Sequence, residues 1–492
     1  MTVRVGKTAA APAFPMAAKS ALGDNQLRHN VHHATNVIRG KRALRVEEMP
    51  DWQELRQTAS DIKAHTLAHL DHYLVEFESN CERAGGKVHW ARDADEANRI
   101  AINLIRQYGG DGPGVEVIKV KTMTSDEVQM NVALEAAGIT PIETDLADMI
   151  VQMGHDEPSH IVVPALHKNR FEVAEIFRRT MNIPELTDAP EDLTNAARTY
   201  LRDRFLRVGI GVSGANFAVA ETGSVCVVES EGNGRMCVTM PDVLITLVGI
   251  EKVVPAFQDL EVFLQLLPRS ATGERMNPYN SFWTGVAPGD GPSAFHVILL
   301  DNGRTAQLHD ERERETLACI RCGACLNACP VYRETGGHAY GSIYSGPIGA
   351  ILSPQLQNLE HSRSLPYAST LCGACYEVCP VKINIPETLI HLRGRIVRED
   401  QKTLSGKLGP ENLAMQVVAK IFLNHRRYEA AQRLARMGQL LFERRGQLTN
   451  LPGMAGGWTR FRDLKPIPAT SFRDWWKSRA SAPSPHSKEA GQ

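Results

Sequence analysis

No stretch of this 492-residue chain is long or apolar enough to cross a bilayer. The longest apolar runs, such as Val243 to Ile250, fall far short of the roughly 20 residues that a spanning helix needs. The start, Met1 to Lys19, lacks a continuous apolar stretch, so no secretory signal is expected. An excess of one charge is missing as well: 55 Lys and Arg face 56 Asp and Glu. Neither nucleic acid nor an anionic membrane is therefore expected as a main partner. Cysteine is scarce outside one segment, where only Cys81, Cys226 and Cys237 occur. These three read as small buried apolar side chains, with Cys226 and Cys237 on an apolar strand pattern. A soluble protein of a reducing, cytoplasmic compartment is expected, with attachment to the inner membrane left open only through partners.

The other seven of the ten cysteines lie between Cys319 and Cys379. Cys319, Cys322, Cys325 and Cys329, followed by Pro330, form a complete C-x2-C-x2-C-x3-C-P run. Cys372, Cys375 and Cys379, followed by Pro380, repeat it with Ser369 in the place of the first cysteine. In the two-cluster pattern the fourth cysteine of each run ligates the other cluster. Cys319, Cys322, Cys325 and Cys379 are thus predicted to hold one [4Fe–4S] cluster. Cys329, Cys372 and Cys375 are predicted to hold a second, either [3Fe–4S] or [4Fe–4S] with a fourth ligand from water, Ser369, a partner or substrate. Structural zinc is the competing reading, but it needs four ligands per site and does not call for the C-x3-C-P tail twice.

Along the rest of the chain, residues 1 to about 20 and the last dozen read as disordered. A helical pattern runs from Asp51 to Ala84. His29, His32 and His33, and then His65, His69 and His72, fall at helical intervals and read as solvated or capped rather than as metal ligands. From Lys87 to Asn302 strands and helices alternate, which predicts an α/β sheet covered on both faces. Strands are expected at 88–90, 115–120, 140–143, 160–164, 224–229, 243–248 and 295–300. Helices are expected at 94–108, 126–137, 146–153, 170–179 and 201–207. Beyond Glu399 the chain reads as helical, with apolar faces over Leu413 to Phe422 and Ala430 to Leu441. A tail with Trp458, Phe461, Phe472, Trp475 and Trp476 follows and would be a docking site if exposed.

Gly209, Gly211 and Gly214 satisfy G-x-G-x-x-G, the dinucleotide fingerprint. The helix expected before them and the loop and strand after them contradict it, and the glycines read instead as a loop at the strand ends, where α/β sheets bind ligands. Lys121, Thr122, Ser125, Glu127, Ser213, Asn216, Glu221, Thr222 and Gly223 are the polar residues grouped with that loop. Lys121, before a helix capped by Thr124 or Ser125, would make an anion-friendly corner. No flavin fingerprint is visible.

Lys121 to Glu127 and Gly211 to Ser224 resemble the lactate-utilisation (LUD) domain. Tyr340 to Gly349 and Leu371 to Ile385 resemble the ferredoxin-like part of the same family. Together with the aromatic tail, residues 20 to 480 are similar to the lactate-utilisation protein B family. The resemblance implies an α/β domain of isomerase/CoA-transferase-like LUD fold, then an α-helical two-cluster ferredoxin domain and a helical C-terminal extension. The corresponding boundaries are an N-terminal arm at 1–50, the LUD domain at 51–302, the cluster domain at 303–398 and the C-terminal region at 399–492. Its seven ligands carry over to the seven cysteines named above, whereas no substrate-binding residue does. A seven-ligand set also resembles the iron–sulfur subunits of succinate dehydrogenases, where it goes with [3Fe–4S].

The function implied is that of an iron–sulfur subunit in L-lactate oxidation to pyruvate, rather than a complete enzyme. Clusters pass single electrons and cannot take a hydride, so a two-electron centre must stand between substrate and cluster. Two further lactate-utilisation subunits, a cysteine-rich-domain protein and a second LUD-domain protein, are the implied partners, together with an electron acceptor. A lactate-binding open iron at the three-cysteine site is a sharper alternative. Service to another 2-hydroxy acid such as glycolate, or redox and metabolite sensing, are the alternative roles.

Overall fold

The computed structural model describes residues 12–112, 114–356 and 359–480. The chain divides into two compact units between Ile396 and Val397. In chain order the strands of the first unit are β1 (Lys87–Ala91), β2 (Val115–Lys119), β3 (Ile139–Glu143), β4 (Ile210–Gly214), β5 (Phe217–Val219), β6 (Ser224–Glu229), β7 (Val243–Gly249), β8 (Val253–Val254), β9 (Tyr279–Trp283) and β10 (Ala294–Leu300). A six-stranded sheet has the order β1-β10-β7-β4-β2-β3, parallel throughout.

Period-two alternation sends successive residues of one strand into different cores. Val243, Ile245 and Leu247 pack with the helix Ala94–Gly109, while Leu244 and Val248 pack with the helices Leu146–Met153, Arg170–Thr180 and Pro190–Arg207. Both faces are covered, as continuous apolar strands in a parallel sheet require. A single sheet was expected, but there are two: β8-β5-β6-β9 form a second, mixed one. Its residues alternate between the sheet core, through Ala218 and Val225, and the core that contains the clustered cysteines, through Phe217 and Cys226.

Other expectations need correction. Residues 160–164 are not a strand but part of an irregular loop, because His160 Nδ1 accepts the N–H groups of Val162 and Val163, both at 3.0 Å. The helix expected at 126–137 is broken into Met123–Glu127 and Met130–Ala136 by Gln129, which is left-handed at φ 54°. The helical pattern 51–84 is two helices, Trp52–Ala68 and Leu70–Arg83. Cys237 lies on the helix Asn233–Thr239 rather than on a strand. Phe14–Leu22 is helical where disorder was expected, and its first ring sits 4.9 Å from that of Tyr340. Residues 1–11 and 481–492, also expected to be disordered, lie outside the described residues.

The cysteine-bearing segment is built from short helices, Ala324–Ala328, Pro330–Thr335, Gly346–Leu356 and Ala374–Val378, followed by Ile385–Asp400. Two N-terminal helices, Asn25–Glu47 and Trp52–Ala68, share its apolar core through Val31, Trp52, Ala59 and Leu67. Arg56 ties them down by donating to the carbonyls of Cys379 (2.9 Å) and Tyr376 (3.1 Å).

The second unit contains the helices Pro410–Phe422, His425–Gln439 and Phe472–Ala480 and a two-stranded ribbon, Glu443–Arg444 with Gln447–Leu448. Gln439 closes it by exchanging two hydrogen bonds with the backbone of Ile467. The aromatics Trp458, Phe461, Phe472 and Trp476 are exposed. Among the described residues, no helix of either unit is long and apolar enough to cross a membrane.

Candidate functional site

Cys319, Cys322, Cys325 and Cys379 line one cavity, whose other walls include Ile161, Ile348, Val381, Ile383 and Ile385. The two runs are therefore interleaved: three thiols of the first meet the last of the second. Cys329, Cys372 and Cys375 form the other group of electrostatic neighbours.

The backbone repeats itself at the two runs. Arg321 (φ 61°) and Gly323 (φ 71°) flank Cys322, and Leu371 (φ 55°) and Gly373 (φ 82°) flank Cys372, all left-handed. A left-handed residue on each side of the cysteine turns successive N–H groups inward, toward the sulfurs. Arg321 N–H donates to Cys319 Sγ at 3.4 Å and Ile383 N–H to Cys379 Sγ at 3.4 Å. In the other group Tyr332 N–H donates to Cys329 Sγ at 3.5 Å.

Burial pushes the Cys379 thiol up to about 11 and the Cys375 thiol up to about 12, and raises Cys322, Cys325 and Cys329 as well. Thiols in so apolar a place ionise only with a cation among them. Converging soft ligands, N–H donors to sulfur and dry walls fit an iron–sulfur cluster. The second group is more open: Cys375 and Cys329 are buried, but Cys372 is exposed.

A second and larger cavity, of about 350 Å³, lies at the ends of β2, β4 and β6. Of the polar residues singled out from sequence, Lys121, Thr122 and Asn216 line it. The others go elsewhere. Glu127 is fully buried in an ion pair with Arg304, Ser213 bonds Thr246, and Ser125 bonds the Thr122 carbonyl. Glu221 accepts from Phe257 N–H, Thr222 donates to Ser224, and Gly223 packs on the backbone of Asn80 and Cys81. The helix after Lys121 is capped by Thr122 and has five residues, and the Lys121 ammonium donates to the Val162 carbonyl at 2.6 Å.

Gly211 and Gly214 lie on β4 itself, not in a loop. A Cβ on Gly211 would stand 2.4 Å from the Cys237 carbonyl oxygen, and one on Gly214 would stand 2.1 Å from Thr122 Oγ1. These glycines serve close packing. The histidine stripes are dispersed too: His32 pairs with Glu334, His65 bonds Tyr73, and His29 stacks on His33.

The sequence reading missed a buried ionic group between the two cavities. Arg304 grips Glu127 with both terminal nitrogens at 2.8 Å and also pairs with Glu251 through Nε. Arg321 Nη2 reaches Glu251 at 3.2 Å, Lys63 donates to the Glu251 carbonyl, and Tyr344 donates to Glu127. Burial alone would raise the Glu251 carboxyl, but Arg304, Arg321 and Lys252 hold it down to about 2. Burial likewise lowers Lys252 to about 8 in spite of Glu251. The available signal was Arg321 itself, a charged residue inside a C-x2-C turn.

Family models match three successive stretches of the chain. The LUD domain covers residues 74–300, the 4Fe-4S dicluster domain 315–383, and the C-terminal part of lactate utilisation protein B 392–481. Lactate utilization protein B of Bacillus licheniformis is 41% identical over 462 residues, covering 93% of this chain and 94% of that protein. The protein of the same name from Oceanobacillus iheyensis is 39% identical over 483 residues, with 98% of each chain covered. That of Bacillus subtilis is 38% identical over 486 residues, again with 98% of each covered.

Proposed function

Because this chain belongs to the lactate utilization protein B family, we propose that it is the iron–sulfur electron-transfer subunit of a multi-protein system that oxidises L-lactate to pyruvate. The observation that carries this reading is the convergence of Cys319, Cys322, Cys325 and Cys379 on one apolar cavity. Those four would hold a [4Fe–4S] cluster. Cys329, Cys372 and Cys375 would hold a second, [4Fe–4S] or [3Fe–4S]. Clusters of this kind take up and release single electrons at potentials set by charge, hydrogen bonds to sulfur and exposure.

The chain's own residues give the two sites different settings. Ile161, Ile348, Val381 and Ile383 exclude water from the four-cysteine site, and Arg321 and Ile383 donate N–H groups to its sulfurs. The exposed Cys372 brings the three-cysteine site to the surface, where a partner or acceptor can approach. The six-stranded parallel sheet is compatible with an isomerase/CoA-transferase-like origin of the LUD part. The partners in this reading are a cysteine-rich-domain subunit and a second LUD-domain subunit, and the location is the cytoplasm.

The test is reduction of the clusters by substrate in the reconstituted three-subunit complex, followed by EPR without oxygen. L-lactate should reduce them and glycolate should not. Reduction by glycolate alone would reassign the substrate. Zinc without labile sulfide would overturn the redox role.

A further inference from the structure

Buried charge in the first unit is unevenly matched. Lys119 is paired with Glu143, and Glu313 with Arg395. The surroundings of the four-cysteine site are different. Five buried cations, Arg56, Lys63, Lys252, Arg304 and Arg321, stand there against two buried carboxylates, Glu127 and Glu251. Both carboxylates are already committed: Glu127 takes two bonds from Arg304, and Glu251 is shared by Arg304 and Arg321. Carboxylates nearer the surface add little. Glu377 is exposed, and Glu315 is half-buried and accepts Asn384 N–H at 2.8 Å.

The surplus cations approach the thiols from two parts of the chain. Lys63, Lys252 and Arg321 all have Cys319 as an electrostatic neighbour. Lys63 donates to the Glu251 carbonyl, whereas Lys252 forms no hydrogen bond or ion pair of its own among the described residues. Arg321 reaches Cys319 Sγ through its backbone N–H, and its Nη1 is closed to solvent without a hydrogen-bond partner. From the N-terminal helices, Arg56 donates to the Cys379 carbonyl at 2.9 Å and Arg42 to the Val378 carbonyl at 3.1 Å.

A buried charge without a counter-charge is costly, and it is tolerated where an opposite charge stands nearby. Four thiolates around iron and sulfide carry net negative charge in either oxidation state, and reduction adds one more. Buried cations beside them therefore favour the reduced form, in surroundings where Coulomb interactions are weakly screened. The three-cysteine group has no such shell. The main electrostatic neighbours of Cys329 and Cys375 are other thiols of the group. Arg393 donates to the Ser369 carbonyl there at 3.2 Å, but it is half-buried and water screens it.

We propose that Lys63, Lys252 and Arg321 set the reduction potential of an iron–sulfur cluster held by Cys319, Cys322, Cys325 and Cys379. They raise it, and they leave the three-cysteine site unmoved. The proposal rests on the cluster assignment made above, not on lactate as the electron donor. In the step concerned one electron enters the site, supplied by dithionite in the test below, and no bond forms or breaks.

The test is an EPR-monitored redox titration of the full-length chain, with its iron–sulfur content assembled without oxygen. The four-cysteine step is identified by its loss in Cys379→Ser. Lys252→Met should lower its midpoint by at least about 59 mV, a tenfold change in the reduced-to-oxidised ratio for one electron. Lys252→Arg should leave it at the wild-type value. Glu251→Gln, which removes a negative charge, should raise it, and this variant serves if Lys252→Met does not assemble. Iron and sulfide contents and the three-cysteine step should stay the same in all three.

An unchanged midpoint in Lys252→Met overturns the proposal. So does a shift of the same size in Lys252→Arg, which makes packing rather than charge the cause. Equal displacement of both steps overturns it as well, since the cations then act on no one site. A shifted four-cysteine step in clusters that L-lactate does not reduce in the three-subunit complex keeps the proposal and sinks the lactate role. Zinc without labile sulfide overturns both.

Discussion

Ser369 Oγ accepts the backbone N–H of Leu371 at 3.1 Å. Cys319 Sγ makes the same bond to Arg321 N–H at 3.4 Å, and both donors are left-handed residues two positions further on. The serine thus occupies the backbone position of a first cluster cysteine, with an oxygen where the other run has a sulfur.

Ser369→Cys is therefore expected to complete the three-cysteine site. Iron should then reach about eight per chain, and any oxidised-state [3Fe–4S] signal should disappear. EPR of the aerobically oxidised variant and wild type checks this. Persistence of the signal at unchanged iron would show that position 369 does not face the site.

The interleaving of the two runs has a direct consequence. Cys379→Ser should damage the site shared with Cys319, Cys322 and Cys325, although Cys379 belongs to the other run. Cys329→Ser should damage the surface site instead. Each variant should lose about half of the iron, with different EPR signals surviving. The same surviving signal in both would contradict the exchange.

The Arg304–Glu127 pair is fully buried, and its loss leaves an uncompensated charge. Glu127→Leu, which strands Arg304, should cost about 3–5 kcal/mol, read from urea unfolding of the apoprotein. Arg304→Met combined with Glu127→Leu should recover part of that cost. A double variant worse than the sum of the single variants would show that Glu251 depends on Arg304 more than on Arg321.

Acid should weaken the fold in two stages. Burial lowers His160 from 6.5 to about 3, so the unfolded chain takes up its proton first. Its contribution is fully present above about pH 6.5 and is lost as pH falls toward about 3. Glu251, depressed from 4.5 to about 2, contributes above about pH 4.5 and loses that contribution as pH falls toward about 2. Both signs agree, so stability should decline steadily below about pH 6.5. His160→Gln should flatten the upper part of the decline when urea midpoints at about pH 7 and about pH 5 are compared. An equal decline in the variant would remove His160 as its source.

His160 also shows why part of the site was hidden. Its Nδ1 accepts two backbone N–H groups, so the proton is on Nε2, which faces Asn327 Oδ1 at 3.2 Å on the helix that carries Cys325. An apolar run read as a strand is in fact the loop that docks the LUD part onto the cysteine segment. Tyr332 OH reinforces the contact by donating to the Ser159 carbonyl at 2.7 Å. Strand periodicity over five residues does not distinguish such a loop, because its side chains are buried by a partner segment 167 positions away. The glycines at 209–214 misled similarly: their need for close packing comes from Thr122 and Cys237, which only the folded chain brings near.

What the sequence determined by itself was the spacing of the seven clustered cysteines and the alternation of the LUD part. Thiolate spacing and period-two or helical burial are local properties, written within a few residues of one another. The tertiary structure alone decided that a second sheet splits from the first and that Lys63, Glu127, Glu251, Lys252, Arg304 and Arg321 meet. Charges so far apart in sequence have no shared period. Their convergence follows from how β2, β7 and the cysteine turn pack, which brings Arg321 within 3.2 Å of Glu251 and Arg304 onto both Glu127 and Glu251.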